Sequence, residues 1–467
     1  MQYLSTRGAA PVLGFAETLL TGLARDGGLY TPLCTPAFAP EDVRALRGLP
    51  YAAVAQKVMA PFVGDDFGKD EIKRITRDAY ATFRHAATAP LVQLDVNLFM
   101  LELFHGPTLA FKDFAMQWVA RAMNKALGER GIRATVLGAT SGDTGAAAME
   151  AFGGQLQADV FILYPLGRVS DIQRRQMTAS GWPNTHAIAI EGSFDDCQQI
   201  VKALFGDLAF RDEMNLSGVN SINWARILAQ AVYYFFAAVA LGAPERPVSF
   251  SVPTGNFGDI LAGYYAKRMG LPIDRLIIAT NENDILARAL ASGRYEPGGV
   301  KPTRSPSMDI QVSSNFERLL FEASDQDAAA VRALMANLAG KGGFAIPSEI
   351  LARIRADFGA ERVDESDCRD EMRRVYSESG VVVDPHSAVG VRAARAALRA
   401  SPATPMIALG TAHPAKFPDA VRDAIGVIPG LPAHLSDLLS REETRIVLPN
   451  NREAVANYLR QTARALA

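Results

Sequence analysis

Lys112 stands in a setting that changes what a lysine can do. The stretch from Leu101 to Trp118 reads Leu-Glu-Leu-Phe-His-Gly-Pro-Thr-Leu-Ala-Phe-Lys-Asp-Phe-Ala-Met-Gln-Trp. It leaves a strand-like run at Leu98 to Leu101 and turns at Gly106-Pro107. From Phe111 it takes helical spacing, with Phe114, Ala115, Trp118, Val119 and Ala122 on the same face. Lys112 therefore falls in the first turn of a helix, among aromatic neighbours. The positive end of the helix dipole and an apolar setting both disfavour the ammonium form. An unprotonated amine can attack a carbonyl, which makes Lys112 a candidate Schiff-base lysine. Taken alone the position is only suggestive, because a lysine on an apolar helix usually extends its amine to water.

Three glycine-rich junctions, each following a strand and opening a helix, supply binding chemistry. The first is Leu137-Gly-Ala-Thr-Ser-Gly-Asp-Thr-Gly-Ala-Ala147, where Ser141, Gly142, Asp143 and Thr144 lie at the helix start. Small residues let the backbone approach a ligand, and the hydroxyls with the helix N-terminus suit a carboxylate. An ordinary Ser/Thr-capped turn would look similar. The second is Val252-Pro-Thr-Gly-Asn-Phe-Gly-Asp-Ile260, a cradle of backbone N–H groups formed by Gly255, Asn256, Phe257, Gly258 and Asp259. It lacks the Gly-Lys-Ser/Thr ending of a nucleotide-triphosphate loop and does not complete Gly-x-Gly-x-x-Gly. A compact cradle without lysine suits the single phosphate of a small cofactor, provided that Asp259 points away from it or pairs elsewhere. The third junction, Leu409-Gly-Thr-Ala-His-Pro-Ala-Lys-Phe417, offers the Thr411 hydroxyl for a ring nitrogen. There Lys416 reads either as an anion holder or as a surface residue, and His413 as structural. Asn223 and Arg226, in Asn220-Ser-Ile-Asn-Trp-Ala-Arg226, are candidates for reading an anionic substrate. The polar loop Ser305-Pro-Ser-Met-Asp-Ile310 has similar potential.

The elements that must position these groups alternate regularly. Strands are predicted at Leu98–Leu101, Ala134–Leu137, Asp159–Leu163, His186–Ile190, Val248–Val252, Arg275–Ala279 and Met406–Leu409. Helical patterns lie between them at Asp113–Leu127, Gly142–Phe152, Ser170–Ser180, Asp195–Phe205, Arg226–Ala240 and Phe257–Met269. Such alternation predicts an α/β protein with largely parallel, buried sheets flanked by helices, where ligands gather at the carboxyl ends of strands. Residues 1–90 read as a separate, mostly helical N-terminal domain, 91–430 as the catalytic region and 431–467 as a C-terminal helical segment.

Composition narrows the class. The chain has 467 residues and a net charge of −2, so no broad basic field points to nucleic acid or a membrane surface. Cys34, Cys197 and Cys368 are far apart and form no Cys-x-x-Cys pair, so neither a disulfide framework nor a metal site is expected. The most apolar run, Ile227 to Ala243, is interrupted by Gln230 and falls short of the ~20 residues a bilayer requires. No signal-peptide pattern opens the chain. A soluble cytoplasmic enzyme is expected, without a membrane or nucleic-acid partner.

A Schiff-base lysine, a cradle for one phosphate and a hydroxyl for a ring nitrogen together suggest pyridoxal 5′-phosphate (PLP). The chain also resembles the threonine synthases of the longer type found in bacteria and fungi. These belong to the tryptophan-synthase-β-like PLP enzymes of fold type II. The resemblance runs nearly end to end. It is carried by Tyr3-Leu-Ser-Thr-Arg-Gly8, Asp26-Gly-Gly-Leu-Tyr30, Phe104-His-Gly-Pro-Thr108 through Lys112-Asp113, Ala139 to Gly145, Ser221 to Arg226, Gly255 to Asp259, and Thr411 to Pro414. Wider fold type II relatives often have Asn where this chain has Asp143; Asp is expected of the longer threonine synthases.

The resemblance implies that Lys112 is the cofactor lysine, that Gly255 to Asp259 hold the cofactor phosphate and that Thr411 meets the pyridine nitrogen. It implies that Ser141, Gly142 and Thr144 hold the substrate carboxylate, with Asp143 also among the substrate-binding residues and Asn223 and Arg226 touching substrate or cofactor. It further implies a smaller mobile subdomain over residues 106–240 and conversion of O-phospho-L-homoserine and water to L-threonine and phosphate by γ-elimination and β-addition of water. A monomer or homodimer is expected. Two alternatives share the scaffold: a phospholyase or dehydratase releasing 2-oxobutyrate, and a catalytically idle ligand-binding relative.

Overall fold

A computed structural model describes residues 1–218 and 220–464. Val219, within the expected smaller subdomain, and residues 465–467, the end of the expected C-terminal segment, lie outside the described residues. In chain order the strands are Tyr3–Ser5 (β1), Tyr30–Pro32 (β2), Leu91–Asp95 (β3), Leu98–Glu102 (β4), Ala134–Ala139 (β5), Ala158–Pro165 (β6), Thr185–Glu191 (β7), Leu216–Ser217 (β8), Val248–Pro253 (β9), Ile273–Thr280 (β10), Arg294–Tyr295 (β11), Phe344–Ala345 (β12), Phe358–Arg362 (β13), Met406–Gly410 (β14) and Ile446–Pro449 (β15).

Two sheets dominate. The larger has the order β13-β10-β9-β14-β4-β3 and is parallel except for the antiparallel β3–β4 pair. The second, β15-β7-β6-β5-β8, is parallel throughout. Strands β5, β6, β9 and β14 run almost entirely buried, as parallel strands covered by helices on both faces must. All seven strands expected from apolar runs are present. The α/β fold with parallel sheets is as expected.

Helices fill the spaces between strands. The helix Lys112–Arg130 buries Phe114, Met116, Trp118, Val119 and Met123, and ends at Gly131 in the left-handed conformation at φ 63°. The apolar helix Trp224–Ala240 is buried along nearly its whole length. Among the described residues no helix is long and apolar enough to cross a membrane. Residues 1–80 form the antiparallel β1–β2 pair and helices that include Tyr51–Val63 and Lys69–Tyr80. Phe15, Tyr51 and Phe62 from this region belong to the same continuous core as Trp118, Trp224 and Tyr233.

The C-terminal segment departs from the helical expectation. It contains two short 3-10 turns, then β15, and only then the helix Arg452–Thr462. Strand β15 is four residues long and half exposed, too short for a legible alternation, and is defined by its parallel pairing with β7. The second sheet therefore draws on chain well beyond residues 106–240.

Candidate active site

The three glycine-rich junctions sit at the carboxyl ends of β5, β9 and β14, and the fold gathers them around Lys112. The loop before Lys112 is tied to the one after β14. Phe111 N donates to Thr411 O at 2.9 Å, His413 N to Leu109 O at 3.0 Å, and Ala110 pairs with Ala412. Lys112 is the first residue of its helix, with its side chain only 12% exposed. Its Nζ lies 4.6 Å from the centre of the Phe111 ring and 3.7 Å from Asp143 Oδ2. Burial is the main force lowering its pKa; Asp143 opposes this, while Arg226 and Lys416 add to it.

Asp143 opens the helix Asp143–Phe152 after β5 and is the hub of the site. Its Oδ1 accepts from Gln173 Nε2 at 2.9 Å and faces Lys416 Nζ at 3.0 Å. Its Oδ2 accepts from Ser307 Oγ at 3.3 Å and faces Lys112. Burial disfavours this carboxylate, but Lys416 and Lys112, with the Gln173 amide, outweigh it and hold the pKa far below the usual range. Gly142, at φ 140°, lies so close to Gln173 that an added Cβ would sit 2.4 Å from Gln173 Cδ. Thr140 Oγ1 accepts from the amides of Gly142 and Gly145, leaving Ser141 and Thr144, both partly exposed, at the rim.

The loop after β9 is shaped as a cradle. Phe257, at φ 63°, turns the chain into the helix Gly258–Arg268. A Cβ on Gly255 would come within 2.8 Å of Ser307 O, so only glycine fits against the Ser305–Ile310 loop. Ser313 Oγ donates to Gly255 O, and Asn315 N and Nδ2 both donate to Asn256 O at 3.1 Å. Asp259 resolves the difficulty of a carboxylate beside an anion cradle. Its Oδ1 accepts from the Tyr233 and Tyr234 hydroxyls, and burial pushes its pKa up to about 6. Thr411 is buried, with its amide donating to Ser387 Oγ at 3.1 Å.

Of the other expected residues, Arg226 is buried in the first turn of its helix, close enough to Lys112 to lower its pKa, and burial pushes its own down to about 10. Asn223 makes two hydrogen bonds within the protein. Its Oδ1 caps the helix by accepting from Ala225 N, and its Nδ2 donates to Leu19 O at 2.9 Å. Sequence reasoning left Lys416 undecided, and it is fully buried rather than on the surface. It also missed Gln173, Gln176 and His386. His386 Nδ1 lies 2.7 Å from Asp384 Oδ2, and its Nε2 accepts from Ser307 N at 3.2 Å, which puts the ring proton on Nδ1. Asp384-Pro-His-Ser387 at a helix start was the legible signal there, since a capping Asp two residues before a His can orient it.

A buried amine of depressed pKa, a glycine-built loop at a helix start and a buried threonine thus lie on adjoining loops. Family models match in three consecutive parts: "Threonine synthase N terminus" over residues 2–80, "Pyridoxal-phosphate dependent enzyme" over 84–346, and "Threonine synthase, C-terminal" over 387–459. The threonine synthase of Pseudomonas aeruginosa is 51% identical over 462 residues, covering 99% of this chain and 98% of its own. The chain belongs to the threonine synthase family. Among solved structures, the PLP-bound threonine synthase from Brucella melitensis is 60% identical with a TM-score of 0.96, covering 99% of this chain and 100% of its own. Threonine synthase from yeast is 39% identical with a TM-score of 0.92, covering 99% and 98%. Maize serine racemase, at 16% identity and a TM-score of 0.51, shares the fold alone. Family membership brings the fold type II assignment with it.

Proposed function

We propose that this protein is a PLP-dependent lyase converting O-phospho-L-homoserine and water to L-threonine and phosphate. The observation that carries this reading is that Lys112, the Gly255 loop and Thr411 lie on adjoining loops, linked through Asp143, Ser307 and Phe111, in a chain of this family. The residues present fit the cofactor. Lys112 would hold its aldehyde carbon, the backbone of Gly255 to Asp259 its phosphate, and the Thr411 hydroxyl its pyridine nitrogen. Only glycine at 255 leaves the cradle open, and Asp259, turned onto two tyrosines, keeps its carboxylate out of it. When bound, the cofactor supplies an electron sink for carbanions next to the reacting carbons.

The protein's own groups do the rest. An amine whose pKa burial lowers can take the substrate α-proton and β-proton, returning one to the γ-carbon after phosphate leaves and one to the α-carbon after water adds at the β-carbon. The Ser141 to Thr144 turn, at a helix N-terminus, offers amides and hydroxyls to the substrate carboxylate. Arg226 brings a positive charge close to Lys112, which suits a substrate carrying both carboxylate and phosphate. The capping geometry of Asn223 supports a role in orienting the Arg226 helix rather than in touching substrate. Closure of the 106–240 subdomain would exclude water from a cleft whose reactive groups are already buried. The reading carries with it a cytoplasmic location and a monomer or homodimer.

Incubating the PLP-loaded protein with O-phospho-L-homoserine tests it. Threonine and phosphate in equal amounts are expected. Formation of 2-oxobutyrate without threonine would instead make the protein a phospholyase, and no turnover with a colourless preparation would make it an idle relative.

A further inference from the structure

Lys416 carries more contacts than a bystander needs. It is fully buried, and its Nζ reaches Thr108 O at 2.7 Å, Gln176 Oε1 at 2.8 Å and Asp143 Oδ1 at 3.0 Å. Thr108 O and the Asp143 carboxylate are acceptors only. Gln176 presents its oxygen here because its Nε2 donates to Thr108 O at 3.0 Å. Two of these contacts, to Thr108 O and Gln176 Oε1, are hydrogen bonds, and the third is an ion pair with the Asp143 carboxylate. The carboxylate it holds is the one that faces Lys112 on its other oxygen.

We propose that Lys416 is the positioning residue of the site: by claiming Asp143, it keeps that carboxylate from capturing the Lys112 amine as an ion pair. The distances rank the two partners, 3.0 Å for Lys416 against 3.7 Å for Lys112. Ser307 and Gln173 fix the carboxylate plane, and Thr108 and Gln176 fix Lys416 so that neither lysine can exchange places. The charged groups facing Lys112 are Asp143 from the loop after β5, Arg226 from its helix, Lys416 from the loop after β14 and Asp259 from the helix after β9. His386, bonded to Asp384 and Ser307, lies close enough to Asp143 to lower its pKa. Without Lys416, Asp143 has one cation left within reach, and it is Lys112. Loss of the Lys416 charge also removes a repulsion on Lys112, so both effects favour the Lys112 ammonium.

The inference rests on Lys112 being the cofactor lysine, and its test is independent of turnover. In apoprotein, competitive acetylation across pH with peptide mass spectrometry reads the fraction of Lys112 that is unprotonated. Lys416→Met should raise the Lys112 pKa by about one unit or more, slowing labelling about tenfold below that pKa. Lys416→Arg should leave it near the parent value. Lys416→Met/Asp143→Asn should restore it, because the carboxylate is gone along with the lysine that restrained it. Lys416→Gln, which retains an amide donor, is the second charge-removing variant should Lys416→Met not fold. An unchanged Lys112 pKa in a folded charge-removing variant overturns the proposal. So does a double variant that stays shifted, since a merely structural lysine would not be rescued by removing its partner. Borohydride tagging of the loaded parent protein is the separate check on Lys112 itself, and its failure would leave the apoprotein titration interpretable.

Discussion

Replacing Gly255 by alanine adds a single methyl group at the narrowest point of the cradle. The new Cβ would sit 2.8 Å from Ser307 O, 3.0 Å from Ile310 Cδ1 and 3.3 Å from Met308 Cα. Ile310 can rotate away, but the other two contacts are backbone. That backbone is braced: Met308 N donates to Ser305 O at 2.9 Å, Ser307 N donates to His386, and Asp309 accepts from Asn281, Asn283 and Thr303. The strain must therefore be taken up by the 254–257 turn itself, and methylene-scale overpacking of this kind costs about 1–3 kcal/mol. If it appears where the cofactor phosphate binds, PLP affinity falls about 5- to 150-fold. Titrating apoprotein with PLP, followed by visible absorbance, measures this, and thermal melts of the apoprotein show how much of the strain goes into the fold instead. Gly340→Ala is the matched control. Gly340 lies in the helix Ala328–Lys341 with nothing within 4 Å of its added Cβ, so this change should raise stability by about 0.5–1 kcal/mol and leave PLP affinity alone. Gly255→Ala with unchanged PLP affinity and unchanged melting would refute the reading of this turn as a closed cradle.

Three further outcomes follow from the same geometry. Lys112→Ala should fold, as its side chain lines the cleft rather than the core, yet lose turnover and the borohydride-stable cofactor tag; substantial residual activity would remove its assigned role. His413 should stay neutral in acid, because burial, with the nearby His105, pushes its pKa down to about 4. Since the unfolded chain binds that proton more readily, the contribution to stability is complete above about pH 6.5 and is lost as pH falls through about 4; ring-proton NMR titration checks the value. Arg318→Met should destabilise by about 3 kcal/mol or more in denaturant melts, because the buried guanidinium bonds Tyr30 O, Ile222 O and Asn315, and its loss strands acceptors that water cannot reach. A loss under about 1 kcal/mol would show that these carbonyls find other donors.

The amino-acid sequence by itself determined the interior of the sheets, the sites of the helices and the loops that carry chemistry. Buried parallel strands announce themselves as continuous apolar runs, and glycines crowded between a strand and a helix mark places where the backbone must come close to something. Strands β3, β8, β13 and β15 escaped that reading, and they are the four edges of the two large sheets. Strands β3, β13 and β15 are partly exposed and β8 is only two residues long, so each is fixed by its pairing with a neighbour, as β15 with β7, and not by its own pattern. The site divides in the same way. Lys112 was legible because its local setting already disfavours a charge. The sequence did not show that the Asn223 amide reaches Leu19 O at 2.9 Å, and Asp259 looked misplaced until two tyrosines from another helix met it. Lys416 read equally well as a surface residue, since its partner Asp143 lies far from it in the chain. Only the tertiary structure sets it 3.0 Å from Asp143, because ion pairing inside a protein depends on which strand ends meet and not on spacing along the chain.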